Sequence, residues 1–364
     1  MAVRRSPARR TSFDPDSDRD CNSSFDALRA VSCVPAQNAL GMVASARPLA
    51  APTMEPSSLL PLLKRSPYQT RRQDGRQMRT RIRRIAANGL NHFVRDSGPE
   101  SGPAAVLLHG FPDSGAVWSK ASPLLAEAGF RLIAPDLRGF GETDMAPRVE
   151  DYDIHAGAAK DILGILDHLN IARAHLVGHD FGAPVAWALA ALHPGRFISL
   201  AALSVGHTRA FLAAGAEQKW RSLYIVLHQF RGLCEWAYRF NNWALLRRHW
   251  SLHGEIEEAI RQLARPGRLT AGLNWYRCNA SLARMVNPPR PGAFGEERVK
   301  IPTLGVWSSE EPYLTEAQMT GSAAYVDAPW RYERIEGAGH WIPYDAPERL
   351  AALLIGHWRA AAAG

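Results

Sequence analysis

The feature that most restricts the fold is a regular alternation of short apolar runs and longer helical stretches over residues 104–205. The run AAVLLHG (104–110) is apolar, as expected of a strand buried on both faces of a sheet, and ARAHLVGHD (172–180) is a second predicted strand. The stretch DIHAGAAKDILGILDHLN (153–170) has helical spacing and separates two such runs. This rhythm predicts an α/β fold with a mostly parallel sheet flanked by helices.

The alternation stops between residues 206 and 297, which are rich in Trp, Tyr, Phe and Arg at helical spacing. It resumes with the apolar run IPTLGVW (301–307) and a last helical stretch. We therefore predict a core formed by residues 79–205 and 298–364, with residues 206–297 inserted as a helical cap domain that covers the sheet.

Residues 1–78 differ in composition from the rest of the chain. The first 20 residues are dominated by Arg, Ser, Pro and Asp and show neither helical nor strand periodicity. Such a segment buries too little apolar surface to offset the entropy lost on ordering, so we predict a disordered N-terminal extension. Met78 stands just ahead of the first regular pattern, and a start of translation at Met78 is left open.

The net charge of +8 is located mainly in this N-terminal segment. Residues 1–78 carry 12 Lys and Arg against 7 Asp and Glu, whereas residues 79–364 carry 31 against 28. No basic stripe interleaved with aromatic residues marks the predicted core, so we expect no nucleic-acid partner. No apolar run reaches the length of about 18 residues that a membrane span requires.

The four cysteines show neither a CxxC pair nor any spacing typical of metal ligands. We interpret them as reduced thiols of a cytoplasmic protein and expect no metal site. A disulfide between Cys234 and Cys278 is left open.

The sequence Val177–Gly182, VGHDFG, lies at the junction of a predicted strand and a predicted helix. Glycines two positions before and two after Asp180 allow a sharp turn that presents the central side chain outward. An ionised carboxylate there can attack an sp³ carbon and form an alkyl ester with the enzyme. An ordinary helix-capping aspartate would also explain a lone GxDxG motif. The apolar run before it and the helix after it favour Asp180 as a nucleophile.

His340 lies in the glycine-rich segment GAGHW, directly after the predicted strand RYERIE. A histidine in this loop can reach the nucleophile and activate the water that cleaves the ester. The third member of a catalytic triad is expected after the strand TLGVW, where Glu310 and Glu311 stand together. A carboxylate there would orient the imidazole. We prefer Glu311 and leave Glu310 as the alternative.

The segment HGFP follows the first buried apolar run. A loop at this position can direct the backbone N–H of Phe111 at a developing oxyanion, with the N–H of Phe181 as the second donor. We interpret His109 as a residue that supports this loop and not as a catalytic group.

The motifs HGFPDS, DLRGFGETD, GHDFGAPVAW and GAGHW together resemble the epoxide hydrolase branch of the α/β-hydrolase fold superfamily, from about residue 79 to the end. The resemblance implies hydrolysis of a small apolar epoxide by water to a vicinal diol, through an aspartyl ester and without a cofactor. It also implies that two cap tyrosines, Tyr224 and Tyr276, bind the epoxide oxygen. One departure is Glu311, because the acid of this family is usually Asp.

Related chemistries differ at particular positions. Haloalkane dehalogenases commonly place Trp directly after the nucleophile, where this chain has Phe181. Fluoroacetate dehalogenases place arginines just beyond, where this chain has Ala183 and Pro184. A haloalkane dehalogenase is therefore the alternative function, and a non-catalytic ligand-binding protein is less favoured because the whole catalytic set is present. The identity of the epoxide, the stereochemistry and the formation of a homo-oligomer stay open.

Overall fold

The computed structural model describes residues 69–71, 77–251, 253–281 and 298–363. Strands β1 (Gln69–Arg71) and β2 (Gln77–Arg79) pair antiparallel, so regular pairing reaches into the segment predicted to be a disordered extension. The other residues of that segment lie outside the described residues. Within the described part of the chain, no helix is long and apolar enough to cross a membrane.

The main sheet has eight strands in the order β10-β9-β8-β7-β5-β6-β4-β3. The six strands from β10 to β6 are parallel, and β4 and β3 are antiparallel additions at one edge. The predicted α/β fold with a mostly parallel sheet is thus confirmed. The strands are β3 (Arg81–Ala87), β4 (Leu90–Ser97), β5 (Ala104–Leu108), β6 (Arg131–Pro135), β7 (Ala174–His179), β8 (Phe197–Leu203), β9 (Thr303–Ser308) and β10 (Trp330–Ile335).

Helices cover the sheet and form the segment inserted after β8. The α-helices are α1 (Ala121–Glu127), α2 (Lys160–His168), α3 (Gly182–Leu192), α4 (Thr208–Ala213), α5 (Gly215–Arg221), α6 (Tyr224–Gln229), α7 (Leu233–His249), α8 (Ile256–Ala264), α9 (Arg268–Asn279), α10 (Glu316–Thr320), α11 (Ile342–Asp345) and α12 (Pro347–Ala363). Short 3₁₀ turns occupy Gly115–Ser119, Glu150–Tyr152, Pro194–Arg196 and Gly321–Tyr325, and a π-helical turn occupies Ile154–Ala159.

Strands β5 and β7 lie in the middle of the sheet. All of their residues are buried, as expected of strands that are covered on both faces. At the antiparallel edge, Asn88 and Gly89 both have positive φ, +47° and +77°, and close the tight hairpin between β3 and β4.

Helices α4 to α9 all lie in the chain between β8 and β9, the region predicted as a cap. Several hydrogen bonds attach helix α9 to the core, among them those from Trp275 Nε1 to the Arg138 carbonyl (3.1 Å) and from Asn279 Nδ2 to the Tyr152 carbonyl (2.8 Å). Helix α7 is broken over residues 240–243, where Asn241, Asn242 and Trp243 all have positive φ. The end of the segment predicted as the cap, residues 282–297, lies outside the described residues.

In parallel α/β sheets, functional side chains gather at the carboxyl ends of the strands. Here the loops that follow β5, β7 and β9 carry Phe111, Asp180 and Glu311, and the loop after β10 carries His340. The fold thus brings segments that are distant in sequence to one edge of the sheet.

Candidate active site

Asp180 occupies a strained turn between β7 and α3. Its φ is +50°, a left-handed conformation that aspartate tolerates better than most residues. A side chain at Gly178 would overlap the backbone of Gly182, and one at Gly182 would overlap the carbonyl of Leu108. Both glycines are therefore needed for the chain to turn this sharply and leave the carboxylate facing the cap.

The Asp180 carboxylate has two defined neighbours. The N–H of Phe111 donates a hydrogen bond of 2.7 Å to Oδ1, and His340 Nε2 lies 3.6 Å from Oδ2. Burial acts to raise the pKa of Asp180, but the hydrogen bond and charge of His340 outweigh it and hold the pKa below its ordinary value. Asp180 is therefore an anion at neutral pH, as a nucleophile must be.

Glu311 and His340 form a buried pair. Glu311 Oε2 lies 2.6 Å from His340 Nδ1, and Glu311 Oε1 accepts a hydrogen bond of 3.0 Å from the N–H of Tyr313. Burial opposes the charged imidazolium, but the charges of Glu311 and Asp180 raise the pKa of His340 to about 10. Glu310 is exposed to solvent, and its N–H donates to the carbonyl of Ala338. The geometry supports Glu311 over Glu310 as the acid.

Two residues that the sequence analysis did not single out support the His340 backbone. The His340 carbonyl accepts hydrogen bonds from His179 Nε2 (2.8 Å) and from Ser204 Oγ (3.2 Å). Burial, with the nearby charge of His340, lowers the pKa of His179 to about 4, so its ring is neutral. His179 directly precedes Asp180 in the chain, and this adjacency was the only signal in the sequence that it supports the site.

The loop after β5 is held by His109. The N–H of Leu137 donates 2.8 Å to His109 Nε2, so the ring carries its proton on Nδ1, which donates 2.9 Å to the carbonyl of Gly110. Burial lowers the pKa of His109. A neutral histidine fixed at both nitrogens supports the loop that presents the N–H of Phe111, and it has no nitrogen left for proton transfer.

Phe181, the second predicted oxyanion donor, is placed at the first turn of α3. Its ring packs against Tyr276 and Trp275, with centroid separations of 4.6 and 5.5 Å. The ring thus joins the elbow to helix α9, whereas the role of the Phe181 N–H stays a prediction.

Tyr224 and Tyr276 come from different cap helices, α6 and α9, and their ring centroids lie 6.1 Å apart. Burial and the charge of Asp180 raise the pKa of Tyr224 well above its ordinary value. Burial, the nearby Tyr224 and the charge of Asp180 do the same for Tyr276. Both hydroxyls therefore stay protonated and can donate hydrogen bonds at neutral pH.

Asp180, His340 and both tyrosines line one cavity of about 140 Å³. A cavity of similar size in another protein holds benzene, which indicates a small ligand. Most of the wall is apolar, and it is formed by Ile154, Phe181, Pro184, Val205, Phe211, Ile225, Trp250 and Leu314.

Tyr313 also lines this cavity, and the sequence analysis did not identify it. Its ring meets His340 edge-on at 5.3 Å, and its hydroxyl donates a hydrogen bond of 2.8 Å to the carbonyl of His249. Tyr313 therefore confines the imidazole from the side of the cap. No motif surrounds it, so only the structure could reveal this position.

A buried carboxylate, Asp113, lies behind His340. Its Oδ2 accepts a hydrogen bond of 2.9 Å from Trp341 Nε1, and its Oδ1 lies 2.9 Å from His253 Nε2. Trp341 follows His340 in the chain, whereas His253 belongs to the inserted segment. Asp113 thus links the catalytic loop to the region predicted as the cap.

Comparisons with known proteins identify a family and several relatives. A family profile described as alpha/beta hydrolase fold matches residues 103–347. Epoxide hydrolase A of Mycobacterium tuberculosis is 29% identical over 317 residues, which cover 75% of this chain and 95% of the relative. Epoxide hydrolase 3 of Xenopus tropicalis is 28% identical over 292 residues, which cover 74% of this chain and 75% of the relative.

A solved structure is also similar. The crystal structure of epoxide hydrolase A from Mycobacterium thermoresistibile superposes with a TM-score of 0.65 at 25% identity, covering 77% of this chain and 98% of that one. The resemblance inferred from the motifs is confirmed by these relatives. Together with the sheet order and the turn that presents Asp180, the match over residues 103–347 shows that the chain belongs to the α/β hydrolase fold family.

Proposed function

We propose that this protein is an epoxide hydrolase that converts a small apolar epoxide to a vicinal diol through an ester on Asp180. The observation that carries the proposal is the meeting of an ionised carboxylate, two protonated tyrosines and an imidazole in one apolar cavity. The names of the relatives support the same substrate class. Both steps below use only groups of this chain and water.

In the first step, Asp180 attacks one carbon of the epoxide ring. Oδ1 is occupied by the N–H of Phe111, so Oδ2 is the attacking atom and Oδ1 becomes the carbonyl oxygen of the ester. The ring C–O bond breaks as the new C–O bond forms, and the ring oxygen gains negative charge. Tyr224 and Tyr276 stabilise this oxygen, and one of them transfers its proton to it.

The proton that balances this step comes from His340, whose pKa is raised. At rest the imidazole is protonated between two carboxylates. Its proton restores the tyrosine that protonated the ring oxygen, so His340 becomes neutral when the ester has formed. Esterification also removes the negative charge of Asp180, which lowers the pKa of His340 and favours this neutral form.

In the second step, neutral His340 takes a proton from water, and the resulting hydroxide attacks the ester carbonyl. Glu311 stabilises the imidazolium that forms. The N–H of Phe111, already directed at Oδ1, stabilises the oxyanion together with the N–H of Phe181. Collapse of this intermediate breaks the ester C–O bond to the substrate carbon's oxygen, and the proton left on the former water passes to that oxygen. The diol is released and Asp180 and His340 return to their charged states, so protons and charges balance over the cycle.

Trapping of the ester tests the proposal. Intact-protein mass spectrometry of the His340→Gln variant mixed with styrene oxide should show a gain equal to the mass of the epoxide, located on the peptide that contains Asp180. The exposed His168 offers a matched control, because His168→Gln should turn over without accumulating the ester. An adduct with a matched haloalkane alone would assign the site to haloalkane dehalogenation, and the absence of any adduct would refute the aspartyl ester.

The same variant isolates the contribution of the tyrosines. In the His340→Gln background, Tyr224→Phe and Tyr276→Phe should each slow ester formation by about 10²-fold, the usual minimum for general acid catalysis. Tyr332→Phe, on β10, is the matched control and should leave the rate unchanged. Equal rates in all three variants would exclude the tyrosines as acids.

A further inference from the structure

The outer face of the inserted segment carries six large apolar side chains that are 49–75% exposed. We refer to this group as the outer cap surface, formed by Trp220, Leu223, Phe230, Leu233, Trp236 and Phe240. Isolated exposed apolar residues are normal, but a set of this size concentrated in 21 consecutive residues indicates an interaction site.

The six side chains lie on or next to helices α5 to α7. Trp220 belongs to α5, and Leu223 and Phe230 are the residues that directly precede and follow α6. Leu233 and Trp236 lie in the first turn of α7, Phe240 lies where that helix is broken, and the rings of Trp236 and Phe240 are 5.3 Å apart. Because these six side chains are exposed, other residues form the hydrophobic core of the inserted segment.

The inner side of the same helices belongs to the candidate active site. Tyr224 and Ile225 line the cavity, and His228 and Tyr238 are buried and joined by a hydrogen bond of 2.7 Å. Helix α6 thus separates the substrate cavity from the outer cap surface by the thickness of one helix.

Basic residues are interleaved with the exposed apolar ones. Four exposed cations accompany the outer cap surface, namely Lys219, Arg231, Arg239 and Arg248. Between residues 212 and 248 the acidic residues are Glu217, which pairs with Arg221 at 2.7 Å, and Glu235, which is buried against Arg277 at 2.8 Å. The exposed charge of this face is therefore predominantly positive.

One groove joins the two kinds of residue. Arg231, Arg239 and Trp236 line it together with Arg148, which is paired with Asp151 at 2.7 Å. Two carboxylates, Glu150 and Glu235, also line the groove, and Glu235 is neutralised by Arg277. Guanidinium groups suit phosphate oxygens, and tryptophan suits the boundary between headgroups and acyl chains of a bilayer. The groove is therefore matched to phospholipid headgroups.

We propose that the outer cap surface binds peripherally to an anionic phospholipid bilayer. Exposed Trp, Phe and Leu side chains would enter the headgroup boundary while Arg and Lys contact phosphates, the pattern of a protein that lies on a membrane surface. A second copy fits this surface less well, because a symmetric contact would bring the same cations of two chains together. The proposal does not depend on the reaction catalysed in the cavity.

Sedimentation of the full chain with vesicles tests this proposal. Vesicles of phosphatidylcholine and phosphatidylglycerol in equal parts should bind the protein, phosphatidylcholine alone should bind it at least ten-fold more weakly, and added salt should weaken the binding. Trp220→Ser combined with Trp236→Ser should reduce the affinity for anionic vesicles at least ten-fold. Ile82→Ser combined with Leu192→Ser removes two exposed apolar residues of the core as the matched control and should leave the affinity unchanged.

A charge-reversal pair gives a second, independent readout. Arg231→Glu combined with Arg239→Glu should abolish the preference for anionic vesicles, whereas Arg173→Glu combined with Arg359→Glu changes the net charge equally on the core and should retain it. Circular dichroism melting establishes that each variant is folded. Equal binding by cap and core variants, or no binding by the parent chain, would overturn the proposal. So would a dimer in sedimentation velocity that the two tryptophan changes dissociate.

Discussion

At the scale of single residues, the site is organised by one imidazole between two carboxylates. His340 is 2.6 Å from Glu311 and 3.6 Å from Asp180, so the anionic partners differ in how tightly they hold it. The shorter contact fixes the ring, and the longer one leaves room for the substrate carbon to approach Asp180. This asymmetry suits one carboxylate to orientation and the other to attack.

Substitution of Glu311 and of Glu310 by Gln tests which of them orients the imidazole. Glu311→Gln should slow hydrolysis of the ester by about 10²–10⁴-fold, because the imidazolium formed in that step loses its anionic partner. Glu310→Gln should behave like the parent enzyme, since Glu310 is exposed and its side chain lies outside the pair. Steady-state and single-turnover rates with styrene oxide give the comparison, and a larger loss in Glu310→Gln would reverse the assignment.

The protonation state of His340 is a second prediction at this scale. Since two carboxylates raise its pKa to about 10, the ring should stay protonated throughout neutral pH in the free enzyme. Asp180→Asn removes one of the two charges and should lower that pKa. Titration of ¹⁵N-labelled imidazole by NMR measures the change, with Asp167→Asn on the exposed end of α2 as a control. Identical titration curves in the parent and Asp180→Asn would contradict this account.

The sequence predicted the positions of Asp180, Glu311 and His340 because each follows a recognisable strand and two of them are flanked by glycines. It gave no sign of Tyr313, since an aromatic residue without a motif is usually part of the core. The contact between Tyr313 and His340 joins the loops that follow β9 and β10, and no local pattern in the sequence shows which side chains meet between two such loops.

At the scale of elements, the turn between β7 and α3 decides whether Asp180, the proposed nucleophile, faces the cavity. Residue 182 is where the helix begins, and it lies so close to β5 that only hydrogen fits. The absence of a side chain at residue 182 therefore allows both the close packing of α3 on β5 and the exposure of Asp180 to the cavity.

Gly182→Ala should consequently lower the free energy of unfolding by about 1–3 kcal/mol, the usual cost of overpacking, and should reduce ester formation because the turn must open. Gly356→Ala is the opposite case, since Gly356 is exposed in helix α12 with open space at the position of a Cβ. It should raise the free energy of unfolding by about 0.5–1 kcal/mol. Urea denaturation compares the two, and a neutral Gly182→Ala would show that the turn tolerates a side chain.

The order of strands and helices followed from the sequence, because apolar runs and helical spacing are local signals. The break in α7 could not be predicted from the sequence. Asn241 and Asn242 tolerate left-handed conformations, but Trp243 does so at a cost, and its conformation must be imposed by the buried position of its ring. Tertiary packing offsets the energetic cost of this backbone conformation, and the periodicity of the sequence carries no information about that packing.

At the scale of the whole molecule, Asp113 links the catalytic loop to the inserted segment. Burial acts to raise the pKa of Asp113, but the charge and hydrogen bond of His253 hold it below the ordinary value. A carboxyl whose pKa is lower in the folded state stabilises the protein above its unfolded pKa of about 4, and this contribution is lost as the pH falls through the folded pKa.

Asp113→Asn should therefore lower the free energy of unfolding at pH 7 by about 3 kcal/mol, the loss typical of a broken buried pair. The deficit should shrink as the pH falls below about 4, where the parent loses the same interaction. Asp167→Asn, which breaks an exposed pair with Arg196, should change the free energy of unfolding at pH 7 by less than about 1 kcal/mol. Urea denaturation at both pH values measures these effects, and a deficit independent of pH would exclude an ionised Asp113.

The place where the chain leaves the sheet has a further consequence. Helices α4 to α9 are entered from β8 and left before β9, and these two strands are direct neighbours in the sheet. An exchange of this whole segment between relatives would leave the strand order, the turn at Asp180 and the loop of His340 untouched. The two proposed acids, Tyr224 and Tyr276, travel with the exchanged piece, and the proposed nucleophile and base remain behind. Recombination after β8 and before β9 would thus alter which molecules are accepted and replace the acids, while Asp180 and His340 are inherited unchanged.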